Sequence, residues 1–153
     1  MSDAERIIKP PPSFAALKNV SGFYEQVKKL QNRLPTLPNI GVMHGPSGFG
    51  KSYAAIYAMN KTRGIRVEIG DSWTRKVFLA AILREGGCAE PRGSVAELAE
   101  RAAVLLAEDA RRPLFIDEAD KAVDKGWIEL VRELAMHSNA PILLIGEEML
   151  PSK

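Results

Sequence analysis

Short apolar runs alternate with segments of helical period along this chain. Ile40-Gly41-Val42-Met43-His44, Leu114-Phe115-Ile116 and Ile142-Leu143-Leu144-Ile145 are almost continuously apolar, the mark of strands buried on both faces. Ile65-Arg66-Val67-Glu68-Ile69 alternates apolar and charged residues, as a strand does with one solvated face or at a sheet edge. Between these runs the period changes. Phe23, Val27 and Leu30 predict a helix from Ser21, as its cap, to about Leu34, stopped by Pro35 and Pro38. Ala55, Ile56 and Met59 share one face of a helix from Ser52 to Met59. Phe78, Leu79, Ile82 and Leu83 mark another, capped by Asp71 or Ser72 and closed by Gly86-Gly87.

Ser94-Val95-Ala96-Glu97 has the spacing of a capping box and opens a helix with Leu98, Ala102, Leu105 and Leu106 inward. Trp127, Leu130, Val131 and Leu134 fall at i, i+3, i+4 and i+7 of a last helix. Alternating strands and helices, with apolar inner strands, predict an α/β fold: a three-layer parallel sheet with helices on both faces. The first twenty residues read as an N-terminal arm, extended at Pro10-Pro11-Pro12 and anchored by Phe14, Leu17 and Val20. Residues 21–153 read as the core domain.

A length of 153 residues suits one domain with a sizeable core. The net charge of +2 does not announce a nucleic-acid binder, so any basic surface must come from local clustering. The single cysteine, Cys88, excludes an internal disulfide and suits a reducing compartment. No stretch has the length and apolarity of a membrane span, and the start carries no signal-peptide core. A cytoplasmic protein without a membrane partner is expected.

The densest chemical signal is Gly45-Pro46-Ser47-Gly48-Phe49-Gly50-Lys51-Ser52, which fits G-x-x-x-x-G-K-[ST] without mismatch. Glycines let the backbone curl until successive N–H groups point at phosphate oxygens, and a helix leaving the loop adds its dipole. Lys51 can reach the β- and γ-phosphates, and the Ser52 hydroxyl can ligate Mg²⁺. Tyr53 closes the stretch assigned to the nucleotide, although Tyr53 and Tyr57, one turn apart, also fit a core. The second signal is Asp117-Glu118 at the end of the Leu114-Phe115-Ile116 strand. Asp117 suits the Mg²⁺ shell opposite Ser52, and Glu118 suits the polarising of an attacking water. The alternative is a solvated acidic strand end in which Asp120 caps a helix.

With both motifs in place, residues Ser21 to Ile145 resemble the AAA+ ATPases of the P-loop NTPase type. The resemblance implies ATP and Mg²⁺ as cofactors, and a strand order running outward from the first through the fourth and third to the second. It also places the adenine near Val20 to Tyr24. His44 before the loop, Ile116-Asp117-Glu118-Ala119-Asp120 and Leu144-Ile145-Gly146-Glu147-Glu148 carry a narrower likeness, to transposition ATPases related to the phage Mu B protein. Such proteins bind ATP, form filaments on DNA, choose target sites and stimulate a transposase. That implies double-stranded DNA, a transposase and further copies of this chain as partners.

Two departures accompany the likeness. Glu147 or Glu148 stands where the family has a polar γ-phosphate sensor. The chain also stops at Lys153, ahead of the family's fifth strand, arginine finger and helical lid, so a partial core lacking the fifth strand and lid is expected. Ile40–Met43 would then be an exposed apolar edge, and hydrolysis by this piece alone would be weak.

For DNA, the family position of Ser72-Trp73-Thr74-Arg75-Lys76 faces a central channel. Arg75 and Lys76 can contact phosphates, Thr74 can add a hydrogen bond, and Trp73 can pack on sugar or base. The competing reading is a capped helix start with solvated cations and a core tryptophan. Lys121 and Lys125 form a second candidate pair. His44 and His137 lie too far apart, with no third ligand nearby, to predict zinc. Three rivals stand beside a role on DNA: an AAA+ protein acting on a protein partner, like a helicase loader or secretion ATPase; a nucleotide-gated scaffold with little turnover; and a small-molecule phosphotransferase.

Overall fold

The computed structural model describes residues 14–34, 36–44, 49–109 and 111–146. Its strands are β1 (Ile40–His44), β2 (Ile65–Glu68), β3 (Leu114–Asp117) and β4 (Ile142–Gly146). They lie in the order β1-β4-β3-β2, and every neighbouring pair is parallel. This is the order that the family resemblance implies. The alternating strand takes one edge, one of the two places its pattern allows; the apolar β3 and β4 take the centre, while β1, equally apolar, takes the other edge.

Alternation along each strand divides the core into two surfaces. Phe115, Leu143 and Ile145 face α1 (Phe14–Gln31) and α2 (Phe49–Thr62), meeting Phe23, Val27 and Ala58. Phe23 and Phe115 lie with ring centroids 5.9 Å apart. Ile65, Val67, Leu114, Ile116, Ile142 and Leu144 face the other way. There they meet α3 (Arg75–Glu85), α4 (Val95–Ala107) and α6 (Ile128–Ser138). A short helix, α5 (Asp120–Asp124), follows β3 directly.

Several boundaries differ from the periodicity reading. The first helix begins at Phe14 rather than Ser21, because nothing between them breaks a helix and the prolines lie further upstream. The helix after the phosphate loop spans Phe49–Thr62, longer at both ends than its apolar stripe. Thr74, not Asp71 or Ser72, caps α3: its Oγ1 accepts from Val77 N at 3.2 Å, while the preceding residues turn with Trp73 N bonded to Gly70 O. The Ser94–Glu97 capping box is present in both directions, at 3.2 and 3.0 Å.

Asn39 fixes the entry to β1 by donating Nδ2 to Ala135 O at 2.8 Å and Ala140 O at 2.6 Å. Arg33 closes the end of α1 by donating to Leu30 O and to the side chain and carbonyl of Asn139. Among the described residues no helix is long and apolar enough to cross a membrane.

Candidate functional site

All four strands run the same way, so their C-terminal ends share one edge, where open α/β sheets bind ligands. His44 pairs with Gly146, and Asp117 with Ile145 and Glu68, in register along that edge. The α2 helix, carrying Lys51 and Ser52 in its first turn, begins five residues after β1 ends. Gly45, Pro46, Ser47 and Gly48 lie outside the described residues, as do Glu147 and Glu148. Phe49, Gly50, Lys51, Ser52 and Tyr53 are placed by their helical backbone.

Asp117 shares the face of Phe115, the face that α1 and α2 cover. Its Oδ2 is 2.7 Å from Arg66 Nη2, and its Oδ1 accepts the N–H of Glu118 at 2.9 Å. Glu118 has φ 58°, a left-handed conformation that turns the chain sharply off β3. Ala119 N then bonds to Ile145 O at 2.9 Å and fastens the turn to β4. Partial burial raises the Glu118 carboxyl above the usual carboxylate range; Lys121 opposes this, and Asp120, Asp117 and Glu68 reinforce it. Asp120 is the first residue of α5 and makes no cap; Ala119 holds the cap position without a side-chain bond.

The donor set fits Mg²⁺. One carboxylate and one hydroxyl suit a hard cation that keeps waters and takes phosphate oxygens. Among the described residues there is no group of three His, Cys, Asp or Glu able to cage a metal alone.

The candidate DNA residues divide. Trp73, Thr74, Arg75, Lys76 and Lys125 line one pocket of about 440 Å³ with Val95 and Trp127. Lys125 Nζ lies 5.4 Å from the Trp127 ring and donates to Asp71 O at 2.5 Å. Trp127 stacks on Phe78, with centroids 5.5 Å apart. Trp73 packs on the core, as the competing reading has it, and also lines the pocket. Lys121 stands apart, its Nζ 3.2 Å from Asp71 Oδ1; that hydrogen bond raises its pKa.

A family model described as an AAA domain matches residues 36–153. The chain belongs to the AAA domain family. Its members are in general nucleotide-binding ATPases. No curated protein matches the chain.

Two residues escape a reading of the sequence. Arg66 looks like a solvated position on an alternating strand, yet it grips Asp117 across the strand pair. Trp127 looks like core alone, yet its ring also walls the basic pocket. A cation on an edge strand beside an acidic strand end was the available signal, readable only once β2 is known to adjoin β3.

Proposed function

We propose that this AAA domain binds and hydrolyses Mg-ATP, and that the nucleotide controls its assembly on double-stranded DNA for target selection and transposase activation. The observation carrying the ATPase reading is the Asp117–Glu118 tip, two acids turned apart by a left-handed residue at the edge where α2 begins. In this reading Gly45 to Ser52 cradles the phosphates, with Tyr53 beside them. Lys51 places its ammonium on the β- and γ-phosphates. Ser52 and Asp117 would hold Mg²⁺, which when bound neutralises charge developing on the transferred phosphoryl group. Glu118 orients a water and takes its proton on a carboxylate oxygen; its raised pKa strengthens it as a base.

The pocket between the start of α3 and the Lys125–Trp127 turn supports the DNA half. Its lining joins three cations to two indole rings and contains no acid. Cations can bind phosphates and indoles can cover sugar or base, without sequence preference.

Calorimetry with ATP and Mg²⁺, followed by DNA binding at several salt concentrations with and without ATP, tests both halves. Loss of ATP uptake in Lys51→Ala and ATP-dependent DNA binding are expected. Uptake untouched by that substitution sinks the ATPase reading. Failure to bind DNA, with or without ATP, sinks the transposition reading and favours a protein partner.

A further inference from the structure

Arg66 projects from the edge strand β2 onto the carboxylate of its central neighbour. Register pairs Arg66 with Phe115 and Glu68 with Asp117, so Arg66 and Asp117 are diagonal neighbours on one face. The Nη2 of Arg66 lies 2.7 Å from Asp117 Oδ2 and 3.1 Å from Glu68 Oε1. Side-chain exposure is 22% for Arg66 and 13% for Asp117, against 59% for Glu68, so the Asp117 contact is the better shielded of the two. The other Asp117 oxygen already accepts the Glu118 N–H. Both oxygens of the carboxylate therefore have partners, one of them a full positive charge. The Arg66 Nε is buried without a hydrogen-bond partner, so a single guanidinium nitrogen carries the contacts to both acids.

We propose that Arg66 is a positioning residue that competes with the divalent cation for Asp117. It occupies Oδ2 and must swing toward Glu68, or share the oxygen, when the metal arrives. The inference rests on Asp117 being a metal-shell residue. The chemistry favours exchange over permanent pairing. A guanidinium next to an incoming dication is repelled, while Glu68, more exposed and already at 3.1 Å, offers a second carboxylate on the solvent side. Arg66 would thus hold the carboxylate in place while no metal is bound, and raise the Mg²⁺ concentration needed for nucleotide uptake.

The test is calorimetric titration of this chain with a non-hydrolysable ATP analogue over a series of Mg²⁺ concentrations. Arg66→Gln should lower the Mg²⁺ concentration for half-maximal uptake about three- to tenfold, the span a partly shielded ion pair commands. Arg66→Lys, which keeps the charge, should restore the wild-type Mg²⁺ dependence at least in part. In an Asp117→Asn background Arg66→Gln should have no further effect. A half-saturation unchanged or raised in Arg66→Gln, with the Lys51→Ala control still abolishing uptake, overturns the inference and leaves the ATPase reading standing. If Arg66→Gln melts too low to titrate, Arg66→Met is titrated in its place: a half-saturating Mg²⁺ concentration lowered to the same extent supports charge competition, and one unchanged or raised overturns it. A wild-type chain that takes up no analogue at any Mg²⁺ concentration removes the ATPase reading and this inference with it.

Discussion

The backbone N–H of Glu118 donates to Asp117 Oδ1 at 2.9 Å, so the first acid of the pair fixes the backbone of the second. At Glu118 itself the backbone is left-handed, with φ 58°. Glu118→Gln keeps the shape and the backbone bond. ATP uptake should persist, while hydrolysis falls about 10²- to 10⁴-fold, the usual contribution of a positioned base. Single-turnover kinetics beside calorimetry would check it; turnover already negligible in the parent and unchanged by the substitution would leave a nucleotide-gated scaffold.

The same substitution has a pH signature. Burial favours the protonated form of Glu118, so its pKa is raised on folding. A raised carboxyl contributes stability below its unfolded pKa, and that contribution is lost as pH rises through the folded value. Glu118→Gln cannot ionise. It should melt higher than the parent at neutral pH, with the difference shrinking as pH falls through the raised folded value toward the ordinary carboxylate range. A melting difference constant across pH would contradict the burial argument.

Gly64 sits where β2 begins, beneath the ring of Phe115. A Cβ there would lie 2.5 Å from Phe115 Cε2 and 2.9 Å from Pro113 O. Phe115 is fully buried against Phe23, and the carbonyl is backbone, so neither yields cheaply. Gly64→Ala should cost about 1–3 kcal/mol, as overpacking does. Denaturant midpoints would register it, and an unchanged midpoint would mean the β2 entry is looser than its packing.

Ser94 accepts from Glu97 N while Glu97 accepts from Ser94 N, both in a solvent-facing turn. Ser94→Ala removes one of these bonds and should cost about 1 kcal/mol. For a chain of this size that lowers the melting temperature by about 2–4 °C.

In the basic pocket, Arg75→Ala and Lys125→Ala should each weaken DNA binding and flatten the log–log salt slope by about one. Lys121→Ala, whose ammonium is engaged by Asp71, should leave the slope unchanged. Equal effects from all three would point to diffuse charge rather than this pocket.

Local stereochemistry was legible along the chain, because each local signal spans only a few neighbouring residues. Apolar runs announced β3 and β4, alternation announced an edge strand, and the four residues from Ser94 to Glu97 announced their helix start. Nearby boundaries were less so: Asp71, Ser72 and Thr74 are all plausible caps, and only the turn at Gly70–Trp73 selects among them. The phosphate-loop motif and the acid pair were equally plain, as their chemistry is written in consecutive residues. Partnership across the sheet was not. Arg66 and Asp117 are 51 positions apart, and no period along either strand says that they touch. Lys125 and Trp73 share a pocket for the same reason: the helices following β2 and β3 are carried to one side of a parallel sheet. Chain-local sterics and hydrophobic period determined which elements form, whereas the close approach of distant segments in the packed sheet decided which charges meet.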